Sequence, residues 1–223
     1  MSRMTALLLL LSGCSAPAPS AAVVPPRFLA LGDSYTIGEG VSTMDRWPEL
    51  VAKAIRGRGM AVGDPRVIAR TGWTTDELSQ AIDAAHPEGT YALVTLMIGV
   101  NDQYRGRPVE EFRKPFVALL HRSIAFAGGE ARRVVVISIP DWGVTPFATG
   151  RDRNAIAAEI DRFNAISREE CVHAGAHWVD VTTISRHAAA DRSLVAGDGL
   201  HPSAKMHAQW VEPIVAAAAQ ALR

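Results

Sequence analysis

The sequence has only two cysteines, Cys14 and Cys171. One falls in a leader-like stretch and the other on an apolar helical face, so no disulfide framework is expected. Neither sign of charge is in excess, since Lys plus Arg and Asp plus Glu each number 23. Such balance removes the electrostatic case for a nucleic-acid partner, and no basic run with interleaved aromatics restores it. No apolar run is long enough to span a bilayer, the leucine-rich stretch at 6–11 being too short. There is no internal repeat and no second core. What is present is 48% hydrophobic residues in a chain of 223, which suits one domain with a sizeable core.

The first residues have the pattern of an export signal. Arg3 supplies a positive start and residues 6–11 a short apolar centre. Leu11-Ser12-Gly13-Cys14 follows and resembles the bacterial lipobox. That likeness implies cleavage before Cys14 and lipid on its thiol. Ser15 after the cysteine implies, by the same likeness, outer-membrane sorting. The expectation is a signal peptide at 1–13, a lipidated Cys14 with a small, proline-rich tether at 14–26, and one domain at 27–223. The product is an exported protein, anchored to a membrane through Cys14 and facing the periplasm or cell exterior. The competing expectations are an ordinary secretion signal, or a true start at Met4.

The domain alternates two periodicities. Phe28–Leu31, Val67–Ala69, Tyr91–Ile98, Arg133–Ile139 and His177–Val181 predict strands. Helical spacing recurs over 46–56, and a Thr74/Glu77 capping box opens a helix carrying Leu78 and Ile82. Phe112, Phe116, Leu119, Leu120 and Ile124 mark another, which Pro115 either starts near Lys114 or kinks. Ile156, Ile160, Phe163 and Cys171 share one helical face, and Met206, Trp210 and Ile214 a last one. Cys171 there is expected to be inert core. Residues 182–197 carry no clear pattern. Five strands alternating with helices predict a three-layer α/β/α domain around a parallel sheet.

Three of those strands end in chemically capable residues. The first runs into Gly32-Asp33-Ser34, the second into Gly72, the third into Gly99-Val100-Asn101-Asp102. Parallel strands put these ends on one edge, where open α/β sheets bind ligands. A late loop, Asp198-Gly199-Leu200-His201-Pro202, adds an acid and a base. Serine hydrolysis needs these types: Ser34 as nucleophile, His201 as base and Asp198 to hold the imidazole. Oxyanion donors would be the Ser34 and Gly72 amides and the Asn101 carboxamide. Tyr35, Trp73, Tyr104 and Trp142 are candidate pocket walls, with Phe147 beside Trp142. Asp33 and Asp102 are expected to hold local backbone.

Other patterns weigh less. His173 and His177 have metal-pair spacing, but Gly175 lies between them and a helix-to-strand change is expected there, so no metal is predicted. Gly38 and Gly40 begin a dinucleotide fingerprint that fails at Thr43, so no cofactor is predicted either.

GDS, the lone Gly72, GVND and DGLHP, in this order, resemble the four blocks of the SGNH (GDSL-type) hydrolases. The likeness spans Arg27 to the last helix. It implies a flavodoxin-like sheet of order 2-1-3-4-5 and metal-free ester hydrolysis through an acyl-enzyme. It puts the nucleophile on Ser34, the oxyanion donors on Ser34, Gly72 and Asn101, and the acid and base on Asp198 and His201. Tyr35 stands where the family name has leucine, which bears on the pocket lining. The partner expected is a small-molecule, lipid or glycan ester. A thioesterase or lysophospholipase, or a carbohydrate O-deacetylase, would use the same groups. A catalytically silent binding lipoprotein should have lost at least one of the five positions, and all are filled.

Overall fold

A computed structural model describes residues 25–223. The expected signal peptide, Cys14 and most of the tether lie outside the described residues. The core is a five-stranded, all-parallel sheet of order β2-β1-β3-β4-β5. Its strands are β1 (Phe28–Gly32), β2 (Pro65–Ala69), β3 (Leu93–Met97), β4 (Val134–Ile137) and β5 (His177–Val179). Every residue of β1, β3 and β4 is buried, as befits apolar runs covered on both faces.

Helices supply the cover. α1 (Ser34–Ile37) is a single turn after β1, and α2 (Trp47–Gly57) leads back to β2. α3 (Thr75–Ala85), the short α4 (Val100–Tyr104), α5 (Val109–Phe126) and α6 (Arg153–Ala174) follow. α7 (Thr182–Ser185) and α8 (Ala204–Ala221) close the chain. α2 packs on α8 over one face of the sheet, and α5 packs between α3 and α6 over the other. This is the expected three-layer α/β/α arrangement in the expected strand order.

One local expectation needs correction. α5 starts at Val109, ahead of Lys114, and runs through Pro115. α8 likewise runs through Pro213. A proline removes the bond to the carbonyl four residues back, here Glu111 and Gln209. Both of those residues are exposed, so water can take the freed carbonyls. Residues 182–197, without periodicity, fold into α7 and two short 3-10 turns. Cys171 is buried, and burial pushes its thiol up to about 12, which keeps it inert.

Trp47 joins the two halves of one face. Its indole donates to the Tyr35 carbonyl at 3.0 Å, and its backbone N–H to His207 Nδ1 at 3.3 Å. His207 is fully buried, packs edge-on to Trp210, and has no partner for Nε2 among the described residues. Burial pushes its pKa from 6.5 down to about 4, with a smaller push from His201. The folded state therefore refuses a proton that the unfolded chain accepts. Stability from this group is intact above about 6.5 and is lost as pH falls toward 4. The full loss is on the order of 3 kcal/mol. His207→Asn keeps an acceptor for Trp47 and cannot titrate. Its melting temperature should fall less steeply between pH 6.5 and 4 than that of the wild type. Parallel melting profiles would contradict this assignment.

Candidate active site

Ser34 owes its place to a tight strand end. A Cβ on Gly32 would lie 2.1 Å from Thr36 Oγ1 and 2.6 Å from the Met97 carbonyl oxygen, so only glycine fits there. Asp33 then caps α1, its Oδ1 accepting the Tyr35 N–H at 3.0 Å. This is the local backbone role expected of Asp33. It is fully buried, its Oδ2 has no partner among the described residues, and burial pushes its carboxyl up to about 8. Ser34 is the first residue of the turn, 5% exposed and facing a cleft.

The second strand end supplies an amide. Gly72 has φ +87°, a conformation that side chains resist. Among the described residues, neither the Ser34 nor the Gly72 N–H donates to a protein acceptor. Both are therefore free to bind an incoming oxygen.

α4 grips the segment that carries Gly72. Asn101 Nδ2 donates to the Trp73 carbonyl at 2.9 Å, and Arg105 Nη2 donates to the Gly72 carbonyl at 2.5 Å. Asp102 accepts the Thr75 N–H at 3.0 Å and its hydroxyl at 2.8 Å, and pairs with Arg107 at 2.7 Å. Asp102 thus holds backbone 27 residues away, a correction to its expected role in its own turn. The Asn101 carboxamide has two N–H groups, and the Trp73 bond uses one. The other remains for the cleft that Asn101 lines.

The acid and base sit on a self-bonded loop. Asp198 Oδ1 accepts the Leu200 and His201 N–H groups, each at 2.9 Å. Its Oδ2 lies 2.6 Å from His201 Nδ1. An ionised carboxylate only accepts, so Nδ1 carries the proton and Nε2 presents its lone pair. Partial burial pushes Asp198 up, but the bonds from His201 and the two amides outweigh it, and its pKa ends below the ordinary value. The Tyr35 ring meets the imidazole edge-on at 5.9 Å.

Ser34, Gly72, Asn101 and His201 line one cleft, which encloses about 530 Å³ including the part open to solvent. Tyr35, Tyr104, Trp142 and Phe147 also line it. Trp73 does not, a second correction: its ring is half-buried against the core and its carbonyl meets Asn101. Sequence reasoning missed Leu200 as a wall, although it sits inside DGLHP, and missed Arg105 and Gln103, for which the sequence holds no signal. His173 lies in the last turn of α6 and His177 opens β5, so they share no helical face. Glu169 and Glu170 lie near His173, but Arg113 pairs with both.

A parallel sheet with these groups at its carboxyl edge is the framework of a hydrolase. The chain belongs to the GDSL-like lipase/acylhydrolase family, whose model matches residues 30–209. Solved structures share the fold. A psychrotrophic esterase, EstA from Pseudoalteromonas sp., aligns at 18% identity and TM-score 0.67, over 86% of this chain and 96% of that one. A lipase/acylhydrolase from Enterococcus faecalis aligns at 20% identity and TM-score 0.65, over 86% and 94%. Axe2, an acetylxylan esterase from Geobacillus stearothermophilus, aligns at 15% identity and TM-score 0.63, over 86% and 94%. Comparison with curated proteins finds no match.

The grip of α4 makes a local prediction. Arg105 is half exposed, so its loss should leave global stability nearly unchanged. It should instead loosen the Gly72 peptide. Hydrogen exchange of Arg105→Ala should speed up in residues 71–75 while the melting temperature holds. Unchanged exchange there would show that the Gly72 carbonyl does not need this guanidinium.

Proposed function

We propose that this protein is a serine hydrolase cleaving carboxylic esters through an acyl-enzyme. The observation that carries this reading is the Asp198–His201 contact at 2.6 Å, with the imidazole and Ser34 lining one cleft that also holds two unengaged amides. Ser34 Oγ attacks the ester carbonyl carbon while His201 Nε2 takes its proton. The carbonyl oxygen becomes an oxyanion, received by the Ser34 and Gly72 amides and by Asn101 Nδ2. Asp198 stabilises the imidazolium. Collapse expels the alcohol, which leaves with the proton from Nε2, and the acyl group stays on Ser34. Water, deprotonated by the same nitrogen, then releases the acid. The same groups would serve a thioester, a lysophospholipid or an O-acetyl sugar. A silent binder is disfavoured because all five positions are filled.

Ser34→Ala and His201→Ala should each cost several orders of magnitude in turnover of a short-chain ester, and the double change little more, because the two act as a unit. Asn101→Ala is the sharper test. Its amide would meet full negative charge only in the transition state, so kcat should fall about 100- to 1000-fold while KM moves only a few-fold. A variant with full kcat and a much lower melting point would reduce Asn101 to a loop anchor.

We also propose export and lipid attachment at Cys14, supported by the lipobox-like tetrad. β1 starts at the edge of the sheet opposite the cleft, so the described residues 25–27 enter the domain at the end away from it. Metabolic labelling with a fatty-acid analogue should mark the wild type and spare Cys14→Ala. Equal labelling of both would refute the anchor.

A further inference from the structure

One wall of the cleft is unlike the rest. Tyr104 packs on Trp142 at 5.4 Å between ring centroids, and Phe147 packs on each of them at 6.0 Å. The Trp142 indole donates to Gln103 at 2.8 Å, and Gln103 in turn donates to Glu159 at 2.7 Å, so this wall is fixed in place. Tyr104 and Phe147 are nonetheless 45% and 41% exposed at the cleft mouth. Arg151 stands over all three rings, its guanidinium carbon 5.3 Å from each centroid.

This arginine has no carboxylate within ion-pair distance among the described residues. The one hydrogen bond of its guanidinium among these residues runs from Nη2 to the Tyr104 hydroxyl oxygen at 3.3 Å. Its neighbours are engaged: Arg105 with Glu77 and Gly72, Arg153 with the Val144 and Thr145 carbonyls. A guanidinium carries five donors in a planar fork that matches carboxylate and phosphate. Contact with three rings holds the guanidinium in place in advance, so less freedom is lost when an anion pairs with it.

We infer that Arg151 is a specificity-determining residue, and that the substrate is an ester with an anionic group that crosses the aromatic wall to reach the guanidinium. This rests on the esterase reading above. Apolar parts of the substrate lie on Tyr104, Trp142 and Phe147, and the carboxylate or phosphate lies beyond them. The anion belongs either to the acyl part or to the alcohol part, and two pairs of synthetic esters separate these sources. Phenyl hydrogen adipate against phenyl hexanoate places the charge on the acyl side. 4-Acetoxybenzoate against its methyl ester places it on the alcohol side.

The measurement is the ratio of kcat/KM for the anionic ester to that for its neutral counterpart, using the full chain. In one of the two pairs, this ratio should fall about tenfold in Arg151→Gln, as expected for one charge-assisted contact. It should fall further in Arg151→Glu, stay intermediate in Arg151→Lys, and drop with added salt in the wild type, because the site is exposed. A ratio equal in wild type and all three variants, in both pairs, would overturn the inference and leave the esterase reading standing. Failure to hydrolyse any of the four esters would overturn both.

Discussion

The parallel register of β1 between β2 and β3 brings Ser34, Gly72 and Asn101 to one cleft. Gly32 pairs with Ala69 on one side and with Met97 on the other, so the three strands end at one level. Ser34, Gly72 and Asn101 follow those ends by two, three and four residues. No long loop is needed to bring a hydroxyl, a backbone amide and a carboxamide together. A slip of one residue in either pairing would move its partner group by about 3.3 Å, more than a hydrogen bond tolerates.

Strand ends bring the segments near each other, and α4 sets their orientation. Its side chains reach back to residues 72–75 through Asn101, Asp102 and, just past its end, Arg105. Gln103 reaches the other way and fixes Trp142, while Tyr104 forms the wall itself. A helix of five residues therefore anchors both the Gly72 side and the aromatic side of the cleft. Its value lies in position more than in energy. Exposed pairs such as Arg105–Glu77 contribute about 0–1 kcal/mol, too little to hold the fold but enough to bias one peptide plane.

What was legible in the sequence was local. The apolar runs gave all five strands, and the alternation gave the layers, because continuous burial leaves a run without polar breaks. The Thr74/Glu77 capping box was visible because both partners lie within one turn. The Asp198–His201 contact was visible for the same reason, the two being three residues apart. Long-range roles were not legible. Asp102 serves Thr75 across 27 residues, and Asn101 meets the Trp73 carbonyl across 28. Pro115 left a helix start and a kink both open, and the exposure of Glu111 shows why α5 continues through it. The match of Arg151 to three rings from two segments of chain has no sequence signature.

Two carboxyl groups flank the surroundings of Ser34, and their environments drive them apart. Asp33 adjoins Ser34 in sequence and is fully buried, with no cation paired to it among the described residues. Burial raises it to about 8, which favours its neutral form. Asp198 is partly open to solvent and accepts from two amides and the imidazole, which lowers it despite desolvation. On the proposed mechanism, the acid that would steady an imidazolium is thus the one whose charged form is favoured. On the same mechanism, the acid whose charge would oppose an oxyanion nearby is the one whose neutral form is favoured. Both carboxyls come from short turns, and burial together with the number of donors, rather than residue type, divides their roles.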